Sequence, residues 1–185
     1  TFSAATLARP VPLSYMVTPK WDDLLERSAA EHGETWLHLL YQSAIAAERL
    51  DIPRARALIK KSIDLNQTAV AYRQMAVLMQ NAIDPSPRIQ VYAQAWKCAL
   101  AGGSCSPGAA QDPAATTLQW QLAGEYALFL NTFSQWDLLR ELLESLPAVP
   151  ACAKRGKYCD SQMVAQSQVM LLNSTGTAAG ACFQT

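Results

Sequence analysis

Small residues recur at a fixed offset in this chain, and that pattern narrows its possible folds more than any other feature. Ser43 and Ser62 lie 19 positions apart, as do Ala76 and Ala95. Each member of the second pair stands 33 positions after its counterpart in the first. Small side chains let two helices approach closely, and a period of about 34 residues suits a helix–turn–helix unit that stacks on copies of itself. The pattern implies an all-α fold of stacked antiparallel helix hairpins, with Ser43, Ala55, Ser62, Ala76 and Ala95 at the close-packed positions.

Apolar spacing fills in the helices. Pro19 opens the first, with Trp21, Leu24, Leu25 and Ser28 on one face, and His32-Gly33 ends it. Thr35 can cap the next, whose apolar face runs through Trp36, Leu39, Leu40, Ser43, Ala47 and Leu50. After the turn at Asp51-Ile52-Pro53, the partner helix carries Ala55, Leu58, Ile59, Ser62 and Ile63 and stops at Asn66. A second hairpin begins near Thr68 with Ala69, Tyr72, Met75, Ala76 and Met79. It turns at Asp84-Pro85-Ser86-Pro87 and returns through Ile89, Tyr92, Ala93, Trp96 and Ala99. A third pairs Leu118, Leu122, Tyr126, Phe129 and Leu130 with Trp136, Leu139, Leu142, Leu143 and Leu146, and Gly124 takes the place of Ala76. Beyond Pro147 and Pro150, a helix over Cys159–Asn173 and a capping turn over Thr177–Phe183 complete the array. Residues 1–18, with Pro10 and Pro12, read as an extended arm. Residues 19–185 read as the helical repeat domain, interrupted by a Gly-, Ser- and Pro-rich inserted loop at 102–115.

Half of the residues are hydrophobic, which is ample for a core, and only 16% are charged, against about 25% in an average soluble protein. So few charges point to a surface partly covered by a partner, by glycan or by another domain, or to a polar surface rich in Gln and Ser. Net charge is zero and no basic stripe exists, so nucleic acid is not an expected partner. No apolar run approaches the ~18 residues of a membrane span. The sequence begins at Thr1, without Met or a signal peptide, as a mature or processed product or the ordered part of something longer would.

Five cysteines are many for a reducing compartment. Cys98 and Cys105 are seven apart, as are Cys152 and Cys159, and both pairs bracket glycine-containing turns where the chain can fold back on itself. Disulfides Cys98–Cys105 and Cys152–Cys159 are expected, with Cys182 left over. Asn66-Gln67-Thr68 and Asn173-Ser174-Thr175 are N-glycosylation sequons, so Asn66 and Asn173 are candidate glycan sites in exposed turns. Together these features favour a secreted protein or one in the secretory-pathway lumen.

The segments Lys20-Trp21-Asp22-Asp23-Leu24, Ala55-Arg56-Ala57-Leu58-Ile59-Lys60-Lys61-Ser62 and Ala71-Tyr72-Arg73-Gln74-Met75-Ala76-Val77-Leu78 resemble tetratricopeptide-like repeats. With Glu125-Tyr126 through Leu146-Pro147 and Arg155-Gly156-Lys157, they resemble more narrowly the C-terminal repeats of a large family. Proteins of that family carry a galactose-mutarotase-like β-sandwich ahead of these helices. The resemblance covers residues 20–180 and implies a tetratricopeptide-like α-solenoid. It also implies that any carbohydrate-binding sandwich lies upstream, and it transfers no catalytic residue. The sequons, the cysteine pairs and the 102–115 loop depart from the general repeat pattern.

No catalytic signature stands out. Gly102-Gly103-Ser104-Cys105-Ser106 lacks the second glycine of a nucleophile elbow and follows no strand. No phosphate-binding loop or C-x-x-C spacing occurs, and neither a metal nor a cofactor is expected. Asp22/Asp23, Glu26/Glu31 and Glu141/Glu144 read as solvated helix faces. His38, among Trp36, Leu39 and Leu40, reads as a satisfied, half-buried histidine rather than an acid–base group. Trp21, Trp36, Trp96, Trp120 and Trp136 suit stacking on sugars or peptides, yet their positions assign at least four of them to the core. The expected function is therefore a non-catalytic scaffold that binds a partner protein or the remainder of its own polypeptide. The concave face would be built from helices 35–50, 68–81 and 116–130. The alternative is the C-terminal fragment of a longer or cleaved carbohydrate-active protein.

Overall fold

The computed structural model describes residues 19–106 and 115–146. Among them are seven helices and no strand: α1 (Pro19–His32), α2 (Trp36–Glu48), α3 (Ile52–Leu65), α4 (Ala69–Leu78), α5 (Ser86–Leu100), α6 (Ala115–Thr132) and α7 (Trp136–Glu144). The expected arm at 1–18, the middle of the loop at 107–114 and everything from Pro147 onward lie outside the described residues, including Cys152, Cys159, Asn173 and Cys182.

Local chemistry sets the helix ends. Gly33 adopts φ 88° and donates its N–H to the Ala29 carbonyl at 2.9 Å, which terminates α1 in a left-handed cap. Thr35 caps α2 and its hydroxyl accepts from the His38 N–H. Asp51 caps α3 by accepting from the Arg54 N–H at 3.2 Å, with Pro53 in the first turn. Thr68 caps α4 and accepts from the Ala71 N–H. Asp84 Oδ1 accepts from the Ser86 N–H at 2.9 Å where α5 begins. Those hydrogen bonds to Ser86 hold the Asp84 carboxyl below its ordinary pKa. Thr35 and Thr68 are 33 apart, and so are Asp51 and Asp84. The stop-and-start chemistry thus repeats with the same period as the small residues.

Contacts run in chain order, α1 on α2, α2 on α3, α3 on α4 and α4 on α5, and α2 also touches α4. The chain divides into two compact units, with the boundary between Gln119 and Trp120 inside α6. In the first unit, α2 is buried almost all round, from Trp36 to Leu40 and from Gln42 to Ala46, as a helix flanked on several sides must be.

Ser43, Ala55, Ser62, Ala76 and Ala95 all have no exposed surface. The two serines are more than small. Ser43 Oγ donates to the Ala55 carbonyl at 2.9 Å, and Ser62 Oγ donates to the Trp36 carbonyl at 2.7 Å, each bond crossing from one helix of the α2/α3 pair to the other. Each such buried bond contributes about 1 kcal/mol net. At the matching positions in α4 and α5 stand alanines, which keep the close approach without the hydroxyls.

The second unit buries Leu122, Ala123, Tyr126, Ala127, Phe129 and Leu130 of α6 with Leu139 and Leu142 of α7. Its buried small residues are Ala123 and Ala127, whereas Gly124 is only half-buried. Burial pushes the Tyr126 phenol up to about 12, and the nearby Glu141 carboxylate adds to the shift.

Two expectations about apolar faces are corrected. Only Trp36 and Trp96 of the five tryptophans are buried; Trp120 is half-buried, while Trp21 and Trp136 are 37% and 44% exposed. Trp21 and Leu24 sit on the outer side of α1, because Asp22, Leu25 and Ser28 take the inner side. Ala93 is likewise exposed, since Tyr92, Ala95, Trp96, Cys98 and Ala99 already fill the inner face of α5.

Candidate functional site

An open groove of about 480 Å³ lies in the first unit between the C-terminal halves of α2 and α4 and the start of α3. Its apolar lining includes Ala44, Val77 and Leu78, and its polar lining includes Glu48, Arg56 and Arg73. Two guanidinium groups against one carboxylate give these walls a positive balance. Arg56 is fixed in place: Nε and Nη2 donate to the Leu78 carbonyl at 3.2 and 2.7 Å, satisfying an orphan acceptor at the C-terminus of α4. A guanidinium has five donors, so this clamp leaves others to face a ligand. The groove also borders the 49–51 turn, where Leu50 is 82% exposed and held at φ 62°.

His38 is buried more deeply than the half-buried position expected, and its ring makes two kinds of contact. Nδ1 accepts from the Thr35 N–H at 3.2 Å and sits 2.6 Å from Thr35 Oγ1, while Nε2 lies 3.1 Å from Ser28 Oγ. A serine hydroxyl on a histidine Nε2 is half of a nucleophilic dyad, but the tautomer is the wrong one for catalysis. The Thr35 N–H can only donate, so Nδ1 must carry the lone pair and Nε2 the proton. The ring then donates to Ser28 and cannot take its proton. Thr35 and His38 form a capping box, with His38 in the place normally held by Glu or Gln. Burial lowers the His38 pKa below its ordinary value, with Glu34 pulling the other way, which keeps the ring neutral as this network requires.

Asp22 overturns the reading of a solvated carboxylate face. It is buried, and its Oδ2 lies 2.8 Å from Arg49 Nη1 and 3.5 Å from Arg54 Nη1. Arg54 also reaches Glu26 Oε1 at 3.2 Å. The cluster ties α1 to the turn between α2 and α3. Asp23, Glu26, Glu31, Glu141 and Glu144 are exposed.

Cys98 and Cys105 form a disulfide. Cys98 is fully buried in the last turn of α5, and Gly102 and Gly103, at φ 94° and 102°, turn the chain back toward it. The returning segment docks on the junction between α3 and α4. The Gly103 carbonyl accepts from the Ala69 N–H at 2.9 Å, and the Cys105 N–H donates to the Gln67 carbonyl at 2.8 Å. Ser104 Oγ and Ser106 Oγ both donate to Asn66 Oδ1, at 3.3 and 2.8 Å. Asn66 is therefore half-buried under this segment rather than freely exposed in a turn, and its sequon partner Thr68 has no exposed surface.

Several of these elements escaped sequence reasoning. The 33-residue recurrence of Thr35/Thr68 and Asp51/Asp84 was available as a signal. The Asp22–Arg49–Arg54 cluster and the docking of 102–106 on 66–69 join residues distant in sequence, with no local pattern to reveal them. Among the described residues no group of three His, Cys, Asp or Glu side chains is placed to hold a metal, and no helix is long and apolar enough to cross a membrane. No known protein family, curated protein or solved structure matches this chain.

Proposed function

We propose that this chain is a non-catalytic helical-repeat scaffold of stacked hairpins, tetratricopeptide-like in architecture, whose α2–α4 groove holds a short segment of a partner protein. The observation that carries the proposal is the groove itself, lined by apolar residues of two first-of-pair helices together with Arg73 and with Arg56 clamped on the Leu78 carbonyl. The recurrence of caps and small residues at 33 positions supports the hairpin register that creates such a groove. The positive balance suits a segment that pairs apolar side chains with a carboxylate. The Cys98–Cys105 bridge and the two sequons support a secreted or luminal setting, in which Asn66 and Asn173 carry glycans and Cys152 pairs with Cys159.

A random peptide library selected against the full chain tests the binding claim. Enriched peptides should carry acidic and apolar residues and perturb the backbone resonances of Ala44, Gln74 and Val77. Val77→Asp should abolish their binding, whereas Lys60→Glu on the exposed side of α3 should leave it intact. Peptides that bind equally well to the Val77→Asp protein would overturn the assignment of the groove.

A further inference from the structure

The segment after α5 does more than cover a junction. It supplies a carbonyl to the first N–H of α4, takes a carbonyl from the turn before α4, and holds the side chain of Asn66, which caps the end of α3, through two serine hydroxyls. Three helix ends therefore meet on five residues, 102–106, and one covalent bond fastens those residues: the disulfide from Cys105 to Cys98. Ser104 and Thr68, which face each other in an isolated antiparallel bridge, are both buried.

We propose that the Cys98–Cys105 disulfide is a redox-operated clasp that fixes the joint between the α2/α3 pair and the α4/α5 pair. The inference is independent of what occupies the groove. With the bridge closed, the loop from Cys98 to Cys105 has little freedom, and the hydrogen bonds at Ala69, Gln67 and Asn66 form at small entropic cost. With it open, only hydrogen bonds hold the segment to the α3/α4 junction, and the two glycines let it swing away. The Ala69 N–H and the Gln67 carbonyl then turn to water.

The unequal burial of the two cysteines gives the reaction a direction. Cys98 is fully buried and Cys105 is half-buried, so an external dithiol attacks Cys105 Sγ. The Cys98 sulfur leaves and takes up a proton. The second thiol of the dithiol then displaces Cys105 and itself becomes a disulfide. Two electrons and two protons pass from the dithiol to the protein, giving two cysteine thiols.

The test uses the full chain with Cys152, Cys159 and Cys182 changed to serine, so that a single bridge remains, and the unaltered chain in parallel. Amide exchange is followed by mass spectrometry before and after dithiothreitol. Opening the clasp should speed exchange in peptides covering 66–72 and 98–106 on the order of ten- to a hundred-fold, while peptides covering 43–62 stay unchanged. A monothiol should form its mixed disulfide on Cys105 and not on Cys98. Equal acceleration in 43–62 would make the bridge a global staple rather than a clasp and overturn the proposal. So would unchanged exchange at 66–72, or free Cys98 and Cys105 thiols in the native chain.

Discussion

Ala55→Leu should destabilise the first unit by about 2 kcal/mol, and the number follows from the α2/α3 seam. Ala55 has no exposed surface, and its own carbonyl receives Ser43 Oγ at 2.9 Å, so the two backbones approach closely there. An isobutyl group in place of the methyl would gain about 2 kcal/mol of burial if space existed. Space does not exist, so the helices must part. Parting stretches the Ser43 and Ser62 hydrogen bonds, worth about 1 kcal/mol each, and overpacking adds about 1–3 kcal/mol of strain. Strain and lost bonds outweigh the added burial. Urea unfolding followed by far-ultraviolet circular dichroism is the assay, and with a slope of about 2 kcal/mol/M the midpoint should fall by about 1 M. Ala57→Leu is the control: the same substitution two residues along, on the exposed side of α3, should stay within about 0.5 kcal/mol of the parent. If Ala55→Leu unfolds at the same midpoint as Ala57→Leu, the close-packed seam is misassigned.

Three further outcomes are expected. Because burial lowers the folded-state pKa of His38, its neutral ring stabilises the fold fully above the unfolded value of about 6.5, and stability falls as pH drops from there toward the folded pKa; His38→Gln keeps a capping-box side chain, so its urea midpoint should fall less than the parent's between about pH 7 and pH 5.5. Leu50 holds a left-handed φ of 62° while 82% exposed, so Leu50→Gly should raise the midpoint by roughly 1 kcal/mol equivalent, and a fall would show that the side chain packs. Asp22→Ala removes the carboxylate shared by Arg49 and Arg54, but those side chains are 40% and 39% exposed and remain hydrated, so the cost should be about 1–2 kcal/mol rather than that of a sealed ion pair; a salt titration of the variant should show a shallower dependence than the parent.

Among the described residues, sequence alone determined the helices and where they turn. Apolar spacing, Gly33, Pro53 and the caps at Thr35, Asp51 and Thr68 are all local, since helix initiation and termination depend on side chains within a few residues of the backbone groups they satisfy. The burial of Ser43, Ser62, Ala76 and Ala95 was legible for the same reason, as small residues at a fixed spacing mark where helices touch. Tertiary structure decided the rest. It set which face of α1 turned outward, exposing Trp21 and burying Asp22, because the carboxylate found Arg49 and Arg54 more than twenty residues away. It gave His38 its tautomer, through a cap on its own helix and a hydroxyl from the helix before. It brought Arg56 and Arg73 to one groove, and it laid residues 102–106 over Asn66 and Thr68. Such pairings satisfy polar groups across long sequence separations. No periodicity encodes them, and only the packed chain brings the partners together.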